Sequence, residues 1–198
     1  MKSNIPFSNR RSQRGSNLIE VLVTLVVVSI GLLSAISLQM LSKRSNFDAA
    51  QRTIAANLSQ DLFARMRTNP NGLISYIPGG TLGGDVLGAA PAIDCQAVGA
   101  NCTPTQLAGY DRWHWEQQLD GEFETTAGVA TGGLTMPTAC VTGPAFGGAG
   151  NYTIAIAWRG LTESSNPATN ACVQGSGNYG AGDRYRRVMV VQTFLSAI

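Results

Sequence analysis

Histidine and charged side chains are scarce in this sequence. His114 is the only histidine among 198 residues, and Asp, Glu, Lys and Arg together make up 13% of the chain. A Ser–His–Asp or Cys–His centre needs a histidine beside its nucleophile, and no such arrangement stands out. The sequence also lacks a Cys-x-x-Cys pair and an EF-hand loop. We therefore expect no enzyme, no cofactor and no metal site.

Acidic residues are absent from the first 15 positions, which hold four of the 14 basic residues. The remaining chain therefore carries 10 basic residues against 12 acidic ones. Because nucleic-acid-binding domains present a basic face or stripe, this balance predicts no nucleic-acid partner. The basic residues near the C-terminal end, Arg184, Arg186 and Arg187, are expected to form a solvated strand edge.

Charge is absent again over the 22 residues from Val21 to Ser42. About 20 apolar residues suffice to cross a bilayer as a helix, and the preceding basic residues favour a cytoplasmic N-terminus. A secretory signal has a shorter apolar core followed by a small-residue cleavage site, and no A-x-A-like site follows this run. Gly15 precedes the run on its basic side, and Glu20 stands at its rim.

The segment RGSNLIEVLVTLVVVSIGLL, which starts at Arg14, resembles the prepilin-type signal of type IV pilins and type II secretion pseudopilins. That family is cut after the glycine by a membrane-embedded prepilin peptidase, which also N-methylates the new terminus. The resemblance implies cleavage after Gly15, a mature N-terminus at Ser16, and Glu20 as the family's glutamate at mature position five. The family usually starts its mature chain with Phe, so methylation of Ser16 is a weaker expectation than cleavage.

Glu20 has a physical role if that cut is made. Cleavage creates a positively charged amine at Ser16, one helical turn away, which can meet the Glu20 carboxylate of a neighbouring subunit. A buried charge is tolerated mainly when it is paired, so Glu20 is expected to set the axial register of packed helices. Gly31 and Ala35 form a small-xxx-small pair that either allows close helix packing or occurs by chance. No proline interrupts 16–69, which predicts a helix without a proline kink.

A helical pattern continues beyond the uncharged run. Apolar residues recur at intervals of three or four, at Phe47, Ala50, Ile54, Leu58, Leu62 and Met66. The pattern stops at the breaker cluster Asn-Pro-Asn-Gly from Asn69. The expected divisions are a leader over 1–15, a hydrophobic membrane or filament-core helix over 16–42, its amphipathic continuation over 43–69, and a globular head over 70–198.

The head shows one short helix and three strand signals. Residues Thr105–Leu119 predict the helix, and 139–141, 151–159 and 184–195 predict strands. The fold class is therefore α+β: a long N-terminal helix packed on a small antiparallel sheet with long loops, which is the pilin architecture. The residues Trp113, His114 and Trp115 are expected to pack in the fold. An acidic run is expected to face solvent: Asp111, Glu116, Asp120, Glu122 and Glu124.

Cysteine usage agrees with export. The four cysteines Cys95, Cys102, Cys140 and Cys172 favour two disulfides in a periplasmic or surface domain, and three pairings are possible. Local proximity favours Cys95–Cys102, which leaves Cys140–Cys172. A metal site built from all four is the rival, disfavoured by the missing Cys-x-x-Cys spacing.

The head also resembles the PilV family of minor pilins. The shared features are Asp-x-x-x-Trp-x-x-x-Leu from Asp111, Tyr-x-Ile-x-Ile-x-Trp from Tyr152, and an Arg-rich last strand. This resemblance implies a minor subunit of a pilus-tip complex that primes assembly and supports twitching motility. Implied partners are other minor pilins, the major pilin, the inner-membrane assembly platform, prepilin peptidase and the membrane.

The implied location is the inner membrane, with the head in the periplasm, and the pilus tip at the cell surface after assembly. Two alternatives remain open. A minor pseudopilin of type II secretion would share the anchor and Glu20. A membrane-tethered periplasmic protein that binds a ligand would keep its leader and show a recognisable site within 73–198. A tip adhesin is a further option on which the sequence is silent.

Overall fold

The computed structural model describes residues 17–84, 88–127, 129–130, 132–167 and 170–197. The predicted leader, Gly15 and Ser16 lie outside the described residues. The chain divides into two compact units, Met1–Arg44 and Ser45–Ile198. The predicted α+β class is confirmed: a long N-terminal helix, a shorter helix, a three-stranded antiparallel sheet and two disulfides are present.

Helix α1 spans Leu18–Thr68 and is uninterrupted, as the absence of proline from this stretch predicts. It ends where the breaker cluster begins, because Pro70 has no N–H and disfavours helical geometry at the residue before it. A 3-10 turn, Pro70–Tyr76, follows. Every residue from Leu18 to Asn46 is exposed, so the first half of α1 contributes nothing to a core within the described chain.

The second half of α1 buries one face. Its buried residues are Gln51, Ala55, Leu58, Ser59, Leu62, Phe63 and Met66. The predicted stripe is confirmed in its last three members and wrong at its start: Ala50 is exposed, and Phe47 and Ile54 are only half-buried. The buried face is therefore rotated from the predicted one, and it includes two polar residues that an apolar periodicity cannot find.

Those two polar residues are buried because their hydrogen bonds are made. The Ser59 hydroxyl donates to the carbonyl of Ala55 at 2.8 Å. The Gln51 amide donates to the carbonyl of Gly133 at 3.3 Å and accepts from the N–H of Thr135 at 3.2 Å. A polar group whose hydrogen bonds are made is tolerated in a protein interior. The bonds of Gln51 also connect α1 to the segment that precedes β3.

Helix α2 spans Pro104–Asp120, close to the predicted helix. Thr103 and Gln106 form a capping box at its start, which satisfies backbone donors that a helix N-terminus leaves free. The helix ends at Gly121, whose φ of 76° is left-handed. A side chain there would also meet the carbonyl oxygen of Gly132 at 2.0 Å, so glycine is required on two counts.

Five strands follow in the part of the chain that the structure describes. A two-residue hairpin that the sequence did not predict pairs β1, Thr125–Thr126, with β2, Val129–Ala130. The three predicted strands are confirmed within three residues as β3, Thr138–Thr142, β4, Gly150–Arg159, and β5, Arg186–Leu195. They form one antiparallel sheet in the order β3-β4-β5. The register places Ala155 of the central strand between Cys140 and Val190.

The core of the head joins α1, α2 and one face of the sheet. Trp115 is fully buried, and its indole N–H donates to the carbonyl of Leu58 at 2.9 Å. The alternating residues of β4 supply the sheet's contribution, at 0–2% exposure: Tyr152, Ile154, Ile156 and Trp158. These four large side chains alternate along the strand and face the core. Ala155 and Ala157 between them are buried as well, at 1% and 0% exposure.

Two expectations about charged residues are wrong. Arg186 is not at a solvated edge but 0% exposed, because its guanidinium donates to the carbonyls of Cys172, Pro167 and Asn170. Of the three arginines, Arg184 is the exposed one, and its guanidinium pairs with the carboxylate of Glu163 at 3.5 Å. In the acidic run, Asp111 and Asp120 are 8% exposed instead of facing solvent.

Candidate assembly site

The first candidate site is the exposed apolar half of α1. Its most apolar 18-residue window has a mean hydropathy of 2.6, and none of that window is buried within the chain. By length and composition this helix is able to cross a membrane. Its large side chains are half or more exposed, from Leu18 at 75% to Leu41 at 66%. Such a surface needs a lipid or protein environment.

Four hydroxyl groups of this half are satisfied within the helix. Each donates to a carbonyl three or four residues earlier, in the pairs Thr24–Val21, Ser29–Leu25, Ser34–Ile30 and Ser37–Leu33, at 2.7–3.0 Å. An unsatisfied donor is costly in an apolar medium. These four hydroxyls therefore do not prevent the segment from lying in hydrocarbon, a feature that the serine and threonine positions in the sequence could have indicated.

Glu20 lies in the first turn of α1 and is exposed. Its N–H donates to the carbonyl of Asn17 at 2.8 Å, and its negative charge is favourable near a helix N-terminus. Within the described residues its carboxylate forms no hydrogen bond or ion pair, so a partner must come from elsewhere if it is buried. Because Ser16 is outside the described residues, the predicted pairing with its amine stays a prediction.

Gly31 has no intramolecular reason to be glycine. Apart from its two chain neighbours and the adjacent backbone of its own helix, no atom of the described chain lies within 4 Å of the position that its Cβ would occupy. Glycine within a helix costs about 1 kcal/mol relative to alanine, so its own helix gains nothing from it. Gly31 with Ala35 leaves a shallow surface at which a second helix could approach.

A polar cluster connects the second half of α1 to the 3-10 turn and to α2. Arg65 donates to Asp61 at 2.9 Å, to Asp111 at 3.2 Å and to Nδ1 of His114 at 3.2 Å. The hydroxyl of Tyr76 donates to the other oxygen of Asp111 at 2.5 Å. The cluster thus joins α1, the 3-10 turn and α2, and it accounts for the burial of Asp111.

The protonation states in this cluster follow from its geometry. Arginine only donates, so Nδ1 of His114 accepts and the imidazole is neutral. Burial lowers the pKa of His114, and the Arg65 charge lowers it further. Burial and the hydrogen bond to Asp111 raise the pKa of Tyr76. Both groups therefore stay uncharged at neutral pH, as suits a cluster that connects structural elements.

The disulfides pair Cys95 with Cys102 and Cys140 with Cys172. The first closes a short loop ahead of α2. The second ties β3 to the long loop between β4 and β5, and Cys172 is buried against Ala155. Together with Arg186, this second disulfide holds the loop over one end of the sheet's outer face.

These features define an α+β head that is built around the end of a long helix whose other half is apolar and exposed. Residues 37–113 match a family model, Tt1218-like, described as Type IV pilin Tt1218. The match runs from the middle of α1 through the 3-10 turn into α2. Fold and match together support a likeness to the type IV pilins, a family of structural, non-enzymatic proteins. No curated protein and no solved structure matches it.

Proposed function

We propose that this pilin is a minor subunit of the type IV pilus, part of a tip complex that primes pilus assembly. The observation that carries the proposal is the division of α1, with an apolar first half that is wholly exposed and a second half that forms the core of the head. A subunit of this kind moves from a bilayer to a filament by exchanging lipid for neighbouring helices around the same apolar surface.

Processing is part of the proposal. Prepilin peptidase cleaves after Gly15 and leaves Ser16 as the N-terminus, which is then a substrate for methylation. The Ser16 amine pairs with Glu20 of a neighbouring subunit. The exposed position of Glu20 and its lack of a partner within the described residues support that role. Before assembly the protein spans the inner membrane with its head in the periplasm; afterwards it lies at the pilus tip.

The proposed partners are other minor pilins, the major pilin and the inner-membrane assembly platform. A minor, tip-located role rests on the resemblance of the head to PilV minor pilins. In the structure, two residues of the Asp-x-x-x-Trp-x-x-x-Leu motif, Trp115 and Leu119, are core residues, and Asp111 belongs to the polar cluster. The motif therefore maintains the head that would contact other pilins.

The test of processing is the intact mass and N-terminal sequence of the protein from cells with and without prepilin peptidase. We expect a chain that begins at Ser16 only when the peptidase is present. A chain that keeps its basic leader in wild-type cells would contradict the proposal.

A second experiment separates the pilus from type II secretion, which would use the same anchor. The gene is deleted, and twitching motility and exoprotein release are both measured. The proposal predicts loss of twitching with normal secretion. Loss of secretion with normal pili would instead make the protein a minor pseudopilin.

A further inference from the structure

Strand β5 forms an open edge of the sheet. On the opposite edge, Ala139 of β3 exchanges two backbone hydrogen bonds with Leu82, at 2.8 and 2.9 Å. Nothing comparable within the described chain covers β5: the N–H of Ser164 donates to the carbonyl of Arg184 at 2.8 Å, just ahead of the strand. The β3 edge of the sheet is therefore paired, whereas the β5 edge is open within the described chain.

The hydrogen bonds between β4 and β5 show which backbone N–H and C=O groups of β5 point away from the sheet. In an antiparallel pair, successive residues point their N–H and C=O groups to alternate sides. Gly160 donates to the carbonyl of Tyr185 at 2.8 Å, so the odd-numbered residues of β5 face β4. The residues that face away are Val188, Val190, Gln192 and Phe194, and within the described chain no group bonds to their backbone.

This edge lacks the usual protection. Natural sheets blunt an exposed edge with charges, proline or a bulge. From Val188 to Leu195 the strand has no charged residue and no proline, and its register with β4 is continuous. The outer face is also uncovered here, because Val190 and Phe194 are 40% and 65% exposed. An edge of this kind is a template for another strand.

We propose that β5 accepts an additional strand from the head of another pilin subunit. The inference rests on the proposed function and names the surface by which the head binds its neighbour. The open backbone groups require an extended segment, since only a strand can pair with all four outward-facing residues. Val190 and Phe194 require apolar side chains on the outer face of that strand.

Arg67 specifies the charge of the partner. It is exposed, donates to the hydroxyl of Thr193 at 3.1 Å, and forms no ion pair within the described residues. A residue of the added strand that lies beside Thr193 on the same face is about 5 Å away. A cleft of about 300 Å³, lined by Met66, Arg67, Phe194, Leu195 and Ser196, opens at this point. The partner strand therefore carries an Asp or Glu here.

A second copy of this chain does not meet that requirement. Neither β3 nor β5 contains an acidic residue, so neither edge of a second copy supplies a carboxylate to Arg67. The edge of β3 is in addition occupied by Leu82. The charge pattern thus points to a different pilin with an acidic residue in its edge strand.

The test begins with substitutions in the full-length chain in its own cells. Val190→Lys places a charge on the edge, and Val98→Lys is the matched control at a fully exposed loop position. Gln192→Pro removes one outward N–H, whereas Gln192→Ala keeps it; edge strands tolerate proline where the N–H faces outward. Val190→Lys and Gln192→Pro should each reduce association by about tenfold, and their controls should not.

Association is measured directly with a photo-crosslinking residue at position 192, or at 98 as control, in the membrane fraction. We expect a cross-link from 192 to an extended, acidic segment of another protein with a prepilin-type N-terminus, and none from 98. Val190→Lys should reduce its yield by about tenfold, and Arg67→Glu should also weaken it.

A cross-link to a second copy, to a protein that is not a pilin, or none at all would overturn the proposal. Because the cross-link is scored in the membrane, it is independent of pilus formation. Failure of the proposed function appears instead as an uncleaved leader or as normal twitching in the deletion strain.

Discussion

The two halves of α1 form one continuous helix but differ in how much of their surface the rest of the chain buries. From Leu18 to Asn46 no residue is buried, whereas seven residues are buried between Gln51 and Met66. In the first half, Ser29, Ser34 and Ser37 bond to their own helix. In the second half Gln51 and Arg65 bond to distant segments. The first half is therefore complete as a helix but needs an external apolar environment, while the second is stabilised by the chain itself.

The difference teaches that helix formation and burial are separate requirements. The same residue type has different consequences in the two halves: Leu32 is 59% exposed and Leu62 is 0% exposed. Substitutions in the first half should change assembly and leave the head intact. Substitutions of buried residues in the second half should destabilise the head.

Glu20→Ala should have the largest effect, and that effect should be confined to assembly. Removal of one partner of a buried ion pair costs about 3–5 kcal/mol, which corresponds to at least about a hundredfold loss of incorporation into filaments. The measurement is the amount of protein in sheared filaments relative to membranes, with Glu20→Asp as the charge-preserving control. Normal incorporation of Glu20→Ala would mean that Glu20 does not set the register.

The same Leu-to-Ala change at Leu62 and at Leu32 compares how much each half of α1 contributes to the stability of the head. Leu62→Ala should lower the free energy of unfolding of the head by about 2–5 kcal/mol, because it leaves a cavity in the core. Leu32→Ala should change it by less than about 0.5 kcal/mol. Urea unfolding of the full chain in detergent, followed by tryptophan fluorescence, reports on the head alone, since Trp113, Trp115 and Trp158 all lie there. Equal effects would contradict the division of α1.

The two disulfides should differ in what they contribute to the head. Cys140 and Cys172 are 32 positions apart, and Cys95 and Cys102 are seven apart. A longer closed loop restricts the unfolded chain more. Replacing Cys140 and Cys172 with serines should therefore cost about 4 kcal/mol of unfolding free energy, and replacing Cys95 and Cys102 about 2–3 kcal/mol. The same unfolding measurement checks the order; a larger loss from the Cys95 pair would reverse it.

His114 should give the head a modest dependence on pH. Its pKa is lowered in the folded state from its ordinary 6.5, so the unfolded chain binds the proton more readily below that pH. The free energy of unfolding should therefore fall as the pH drops through 6.5 toward the lowered value, and recover as it rises. His114→Gln, which keeps an acceptor for Arg65, should reduce this slope. An unchanged slope would mean that His114 does not cause it.

Much of the fold was predictable because its signals are local. The end of α1 follows from Pro70 and its neighbours, and the strands β4 and β5 follow from alternation and β-branched residues. The apolar first half and Glu20 could be located from the run of uncharged residues alone. The buried face of α1 was only partly predictable, because Gln51 and Ser59 lie on it through hydrogen bonds rather than hydrophobicity.

The sequence by itself determined the long helix, the segment able to span a membrane, the position of Glu20 and the two long strands. Each depends on residues close together in the chain. Only the tertiary structure decided that Arg186 is buried, that Arg65 gathers Asp111 and His114, and that β5 keeps an open edge. Those outcomes depend on groups 14 to 49 positions apart, or on which edge of a strand lacks a neighbour in the described chain. A local pattern carries no information about either.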